Sequence, residues 1–279
     1  MRRIISTAHP QTFDRRLWEV IAKNIAVIRA YHERDAELQA DGRSGGMRYI
    51  LEPNPAAEAH LWLLEELTEL FRTRTVRCWH YTRLTDDEIV AIRKDGVVPG
   101  SLESMQARIA NQVEAGRLSE AEQAAILAAS PLQDPEQAHG RLGTFWVTDR
   151  ALHPTHDSVE PLLTHWGGEV VYFHLQDRAL IARIRGFGQP VVLELAVPVA
   201  STKHAINFAE SALSAVTEGL GYSPRVRGID AYLTQPLGPE GLIAIHSAGN
   251  FDRVIADIES ANISAKKVFA RILTQQELC

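Results

Sequence analysis

The stretch Val76-Arg77-Cys78-Trp79-His80-Tyr81-Thr82-Arg83 decides how this chain folds, together with the helix signal that follows it. Its apolar residues predict a strand that carries one histidine. Thr85 and Glu88 then have the Thr-x-x-Glu spacing that starts a helix, and Gly96 ends that helix. We therefore expect a strand, a turn and a short helix. His80 and Thr82 fall at the end of the strand, where enzymes built on sheets often hold small ligands.

The composition is that of an ordinary globular protein and gives no electrostatic case for a nucleic-acid or membrane partner. The 279 residues are 45% hydrophobic and 23% charged, with a formal net charge of -6 at pH 7. No apolar run approaches the ~20 residues that span a bilayer, and the basic start of the chain lacks the apolar core of a signal peptide. Cys78 and Cys279 have no metal-binding spacing and fit a reducing compartment. We expect a cytoplasmic protein without membrane contact.

Two helices are predicted before the first strand, over residues 14–40 and 56–72. They form a helical N-terminal extension, residues 1–75, which either caps the main domain or binds a protein partner. Residues 76–279 form the main domain. Within it, residues 101–140 are predicted to be a helical insertion that begins with a hairpin of two helices.

The remaining signals occur at unequal spacing along the chain. We predict strands at 143–147, 170–175, 182–185, 191–197 and 242–246, helices at 205–219 and from Phe251, and a strand or helix near 268–273. This order differs from the regular alternation of a doubly wound sheet. No Gly-x-Gly-x-x-Gly turn, Walker loop or Gly-x-Ser-x-Gly elbow occurs. The sequence therefore predicts an α+β fold built on a split, mostly antiparallel sheet.

Residues 79–97 resemble the first nucleotide-binding motif of ADP-ribosyltransferases of the diphtheria-toxin and poly(ADP-ribose) polymerase type. In that family a strand ends in His, a small residue and Ser or Thr. A helix with a hydrophobic pair follows, and then Gly with an apolar residue. The matching residues here are His80, Tyr81 and Thr82, then Ile89 and Ile92, then Gly96 and Val97. Tyr81 departs from the glycine of the polymerases.

The segment Gly143-Thr144-Phe145-Trp146-Val147-Thr148-Asp149 resembles the second motif of the same family, a short strand of the type Gly-apolar-Tyr-Phe followed by Asp. Phe145 falls where the family has a tyrosine that stacks on nicotinamide, and it lacks the hydroxyl. The resemblance implies that NAD⁺ is bound by His80, Tyr81, Thr82, Phe145 and Trp146, although taken by itself Trp146 suits the core better than a ligand-binding surface. It places His80 on the adenosine ribose, supported by Thr82.

The third family motif is a glutamate that enters a strand, and three positions compete for it. Glu240 precedes the apolar run 242–246. Glu169 follows two glycines and precedes the run 170–175. Glu194 is a weaker candidate, better explained as a surface residue of its strand. The resemblance implies that this carboxylate stabilises the positive charge that develops as nicotinamide leaves.

The resemblance thus implies an enzyme that cleaves the nicotinamide–ribose bond of NAD⁺ and transfers ADP-ribose to a macromolecular acceptor, as an intracellular toxin or defence effector. Two alternatives stay open: an NAD⁺ glycohydrolase, and an inactive module that binds a nucleotide or a partner. His153, His156, Asp157 and His165 are numerous enough to ligate a metal for a hydrolase. They lie in a loop without a helical His-x-x-x-His face, and no metal site is predicted.

Overall fold

The computed structural model describes residues 3–256, apart from the side chain of Tyr49. Six strands in this part of the chain form one open sheet: β1 (Ile4–Ile5), β2 (Thr75–Leu84), β3 (Phe145–Thr148), β4 (Gln189–Pro198), β5 (Asp230–Leu233) and β6 (Leu242–Ser247). Their order is β5-β3-β2-β4-β6, with the short β1 beside β2. β1 runs parallel to β2, and the other pairs are antiparallel. The fold is therefore α+β with a mostly antiparallel sheet, as predicted.

Twelve helices accompany the sheet between residues 3 and 250: α1 (Arg15–Lys23), α2 (Ile25–Arg43), α3 (Arg48–Leu51), α4 (Ala57–Phe71), α5 (Asp86–Asp95), α6 (Leu102–Glu114), α7 (Glu120–Ala129), α8 (Pro135–His139), α9 (Glu160–Thr164), α10 (Glu169–Tyr172), α11 (Arg178–Arg185) and α12 (Ala205–Gly219). Residues 251–256 are also helical. The helix predicted over 14–40 is two helices that meet at Asn24. The element predicted near 268–273 lies outside the described residues.

The unit formed by β2 and α5 has the predicted local structure. Thr85 Oγ1 accepts a hydrogen bond from the Glu88 main-chain N–H, and the Glu88 carboxylate accepts one from the Thr85 N–H. These bonds satisfy two backbone donors at the helix start. Gly96 ends the helix with φ 82°, and a Cβ there would lie 2.1 Å from the carbonyl oxygen of Leu237. The glycine is required both by its backbone conformation and by this close approach.

The N-terminal helices share one hydrophobic core with the sheet. Leu17 of α1, Leu67 of α4 and Phe208 of α12 are completely buried in the same cluster as Leu193 of β4. β1 adds Ile5 to that cluster and pairs with the start of β2. Residues 3–75 therefore share their core with the main domain.

A second hydrophobic core lies between the predicted insertion and the segment before β4. Ile109 of α6 and Ile126 of α7 are completely buried there, together with Trp166 and with Ile184 of α11. Because this cluster holds α6 and α7 against α10 and α11, the insertion forms part of a helical layer with residues 166–187.

The strands predicted at 170–175 and 182–185 are wrong, because these residues lie in or next to the helices α10 and α11. Asp177 caps α11 by accepting hydrogen bonds from the main-chain N–H groups of Ala179 and Leu180. The run 170–175 is apolar because it packs Val171 and Leu175 into the second core. A short apolar run does not by itself distinguish a buried helix from a strand.

The sheet opens between β2 and β3. β2 pairs with β4 along its whole length, from Thr75 with Pro198 to Leu84 with Gln189. With β3 it pairs only at Trp79 with Thr148. Beyond that pair the two strands separate, and the opening faces the helical layer. Between residues 3 and 256 no helix has the length and apolar character needed to cross a membrane.

Candidate functional site

A cleft of about 590 Å³ occupies the opening between β2 and β3. Its walls come from both strands, from α6, from the start of α10 and from β5. The polar and aromatic side chains that line it are His80, Thr82, Ser101, Ser104, Arg108, Arg141, Thr144, Phe145, Trp146, Thr148, Ser158, Glu169 and Asp230, with Trp79 and Tyr81 also at its surface. The cleft therefore brings together the residues of the first two predicted motifs.

His80 is fixed as a neutral imidazole at the wall of this cleft. Its Nδ1 lies 2.7 Å from the carbonyl oxygen of Trp146, and because a carbonyl only accepts, Nδ1 carries the proton. Burial lowers the pKa of His80 to about 4, and the positive charge of Arg108 acts in the same direction. At neutral pH the remaining ring nitrogen, Nε2, is therefore a hydrogen-bond acceptor.

Tyr81 and Thr82, the other two residues of the first motif, are both buried. The hydroxyl of Tyr81 donates to the carbonyl of Leu152 at 2.9 Å and accepts from the N–H of Leu152. Burial raises the pKa of Tyr81. Because these backbone bonds occupy the hydroxyl, Tyr81 anchors the loop after β3 and presents only its remaining surface to the cleft. Thr82 also lines the cleft and is 8% exposed.

The two aromatic residues of the second motif line the cleft in different ways. The ring of Phe145 lies 4.3 Å from the ring of His80, centroid to centroid, and packs against the main core. Trp146 is 44% exposed. Its Nε1 donates to the carbonyl of Gly140 at 3.0 Å, and its ring meets the edge of Tyr232 at 4.9 Å. Trp146 is therefore a fixed, accessible aromatic surface and not a core residue.

Glu169 lines the cleft, but as the first residue of a helix and not at the entry to a strand. The residues before it, Gly167 and Gly168, have φ of 90° and 67°, so the chain turns sharply into α10. The carboxylate lies 2.8 Å from Nη2 of Arg141, which lines the same cleft. The charge of Glu169 is thus compensated within the site.

Glu240 and Glu194 lie away from the cleft. Glu240 is exposed in a 3-10 turn, Pro239–Gly241, that leads into β6. Glu240 does not line the cleft, and β4 lies between β6, which follows this turn, and β2, which carries His80. Glu194 is buried and not at the surface as expected, with its carboxylate held by His246 at 2.8 Å and by Arg77 at 3.2 Å.

Two arginines at the cleft had no signal in the sequence. Arg108 of α6 forms an ion pair with Glu88 of the capping box, and its guanidinium lies 4.9 Å from the centre of the Trp166 ring. Arg141 donates to the carbonyl of Gln137 at 3.0 Å, in addition to its ion pair with Glu169. Arg108 lies in the helical insertion and Arg141 directly follows it, and only the tertiary fold shows that they face the site.

Asp230 is a further carboxylate that the sequence did not indicate. It is exposed, begins β5 and pairs with Thr148 of β3. Among residues 3–256, no ion pair or side-chain hydrogen bond engages its carboxylate. The sequence places Asp230 in a Gly- and Pro-containing loop, since a strand of four residues leaves too short a pattern to recognise.

Two of the histidines in the loop 153–165 have polar partners. His153 lies 3.1 Å from Asp252, and His165 accepts a hydrogen bond from Arg185 at 2.9 Å. The described residues contain no group of three or more His, Cys, Asp or Glu side chains able to hold a metal ion.

Comparison of the chain with protein-family models, with curated proteins and with solved structures gives no match.

Proposed function

We propose that this protein is an NAD⁺-dependent enzyme of ADP-ribosyltransferase type, which cleaves the nicotinamide–ribose bond and transfers ADP-ribose to a macromolecular acceptor. The observation that carries the proposal is the contact between the two motifs. His80 and Trp146, which lie 66 residues apart in the sequence, are joined by a hydrogen bond at the wall of one cleft. On this proposal, the opening between β2 and β3 corresponds to the split in the sheet of that family.

The chemistry of the cleft matches the parts of NAD⁺. The neutral His80 offers Nε2 as an acceptor for a ribose hydroxyl. Arg108 and Arg141 offer guanidinium groups to the diphosphate. Phe145 and Trp146 offer aromatic rings for the nicotinamide, which carries a positive charge before it leaves. A ribose, the diphosphate and the nicotinamide therefore each have a complementary group in the cleft.

The reaction requires the C–N bond between ribose and nicotinamide to break, with the bonding electron pair leaving on nicotinamide. The ribose carbon becomes positively charged, and a carboxylate beside it stabilises that charge. The acceptor then forms a bond to the same carbon and releases a proton. The cleft holds two carboxylates for this purpose, those of Glu169 and Asp230.

The test is to incubate the full chain with NAD⁺ labelled in the adenosine half, together with cell extract, and to follow both nicotinamide and the label. Transfer predicts nicotinamide release and label on a macromolecule. Release of nicotinamide with free ADP-ribose as the other product would assign the reaction to an NAD⁺ glycohydrolase. Absence of both, with protein that is folded, would refute the enzymatic proposal.

A second candidate is a module that binds the nucleotide without consuming it. Two observations favour it: Phe145 lacks the hydroxyl of the family's tyrosine, and Arg141 already compensates the charge of Glu169. This candidate predicts that NAD⁺ raises the melting temperature and is recovered intact. The biological role as an intracellular toxin or defence effector follows only from the enzymatic proposal, and it is tested by expression of the chain in growing cells.

A further inference from the structure

We propose that Asp230 is the catalytic carboxylate of this cleft, in place of either glutamate that the sequence indicates. The inference rests on the proposed function, and it assigns the residue that stabilises the positive charge on the ribose.

The charge state of the cleft favours Asp230 over Glu169. Of the acidic side chains between residues 3 and 256, two line the cleft, those of Glu169 and Asp230. Glu169 has a guanidinium at 2.8 Å. A carboxylate that already neutralises an arginine stabilises a second positive charge less well, since the two cations repel each other. Asp230 has no ion-pair partner among the described residues, so its charge is available to the ligand.

The position of Asp230 in the sheet places it at the same wall of the cleft as Trp79. It pairs with Thr148, which in turn pairs with Trp79, the neighbour of His80. Asp230 therefore lies level with Trp79, two strand spacings away, or about 10 Å between backbones. Because paired residues point their side chains to the same face of a sheet, Asp230, Thr148 and Trp79 line one face of the cleft together.

An aromatic surface lies next to Asp230. Trp146 pairs with Tyr232, two residues along β5, and side chains at this offset lie on the same face of a sheet. The exposed ring of Trp146 is therefore diagonal to Asp230, within about 7–8 Å between backbones. The nicotinamide ring is cationic before it leaves and neutral afterwards. An aromatic face can hold this cation beside the carboxylate.

In the step assigned to Asp230, the C–N bond breaks and nicotinamide departs with the electron pair. The carboxylate forms no covalent bond. It accepts a hydrogen bond from a hydroxyl of the same ribose and lowers the energy of the positively charged carbon. Glu169 acts on this view as a positioning residue, which orients Arg141 toward the phosphates.

The experiment compares the wild type with D230N, D230E, E169Q and E240Q in the full chain. Nicotinamide release gives kcat, and calorimetry with NAD⁺ gives Kd. We expect D230N to lower kcat by about 100-fold or more, with Kd changed by less than about threefold. D230E should recover part of the rate. E240Q should match the wild type, and E169Q should raise Kd more than it lowers kcat.

Two different results would count against the inference. If the wild type is active and D230N keeps more than about a tenth of its rate, Asp230 is not the catalytic carboxylate, and the proposed function still stands. A wild type that neither binds nor consumes NAD⁺ would remove the proposed function and this assignment with it. Melting temperatures of all variants, with D230E as the second substitution, separate loss of chemistry from loss of folding.

Discussion

The imidazole of His80 is tied to the main chain of Trp146 by a hydrogen bond of 2.7 Å between Nδ1 and the carbonyl oxygen. The bond spans the opening between β2 and β3, where the backbone ladder has already ended. It fixes the tautomer of the ring, so that Nε2 is the acceptor. One side chain thus both joins the two strands and presents a hydrogen-bond acceptor at the wall of the cleft.

The substitution His80→Asn separates these two roles. Asparagine places an amide N–H near the position of Nδ1 and can keep the bond to Trp146, but it has no atom equivalent to Nε2. We expect the melting temperature to stay close to that of the wild type. The Kd for NAD⁺ should rise about tenfold, the effect of one lost hydrogen bond.

The matched control for this variant is His139→Ala, at an exposed histidine that does not line the cleft. It should bind NAD⁺ as tightly as the wild type. If His80→Asn also binds normally by calorimetry, His80 contributes structure only.

The lowered pKa of His80 predicts that NAD⁺ binding changes little with pH through this residue between pH 5.5 and 8. The imidazole takes up its proton only near pH 4, because burial disfavours the charged form. A histidine with the ordinary pKa near 6.5 would instead lose about 90% of its neutral form by pH 5.5. Calorimetric titrations at several pH values distinguish a flat profile from a tenfold weakening, and the second result would show that His80 is not buried as described.

His60 predicts a loss of stability in mild acid. Its ring stacks on Tyr31 at 3.9 Å, its Nε2 is buried without a partner among the described residues, and burial lowers its pKa to about 4. The pKa of its neighbour His32 is lowered for the same reason. Between about pH 6.5 and 4, these two rings bind protons in the unfolded chain that they do not bind in the folded chain. Their contribution to stability is therefore complete above pH 6.5 and is lost as the pH falls toward 4.

The variant His60→Phe keeps an aromatic ring against Tyr31 and removes the titration. We measure the free energy of unfolding of both proteins with urea at pH 5 and pH 7.5. The slope of this free energy against pH should be smaller in the variant than in the wild type, by up to about 1.4 kcal/mol per pH unit near pH 5. An unchanged pH dependence would mean that His60 is already protonated in the folded protein.

Two leucines of α4 test whether residues 1–75 share their core with the main domain. Leu67 is completely buried in the main core, whereas Leu61 is 49% exposed on the same helix. Leu67→Ala should lower the free energy of unfolding by about 2–5 kcal/mol, and Leu61→Ala by less than about 0.5 kcal/mol. Helix signal and tryptophan fluorescence should report one common transition in both variants. Two separate transitions would indicate an N-terminal unit that unfolds on its own.

Capping residues, glycines and apolar spacing in the sequence predicted the helices whose ends are set by neighbouring residues. The Thr85–Glu88 capping box and Gly96 defined α5, and the helix predicted at 205–219 has the bounds of α12. These features act within a few residues of one another, so a single sequence displays them. The strand predicted at 170–175 was wrong because the apolar residues of this run are buried in the second core and not in a sheet.

The composition of the cleft was predictable only in part. His80, Phe145 and Glu169 meet there, while Arg108 and Asp230 had no local signature. Arg108 is one of several arginines on helices, and its place at the site depends on how α6 packs against Trp166. Asp230 depends on the pairing of β5 with β3, which joins residues about 80 positions apart in the sequence.

The most direct test of the central claim is a time course of nicotinamide release from NAD⁺ by the purified full chain, beside the His80→Asn variant at the same concentration and at an NAD⁺ concentration well below Kd. Nicotinamide is expected to accumulate in proportion to wild-type protein, and the variant is expected to release it at a rate about tenfold lower. Equal rates for the two proteins, or NAD⁺ recovered intact after incubation with folded wild type, would contradict it.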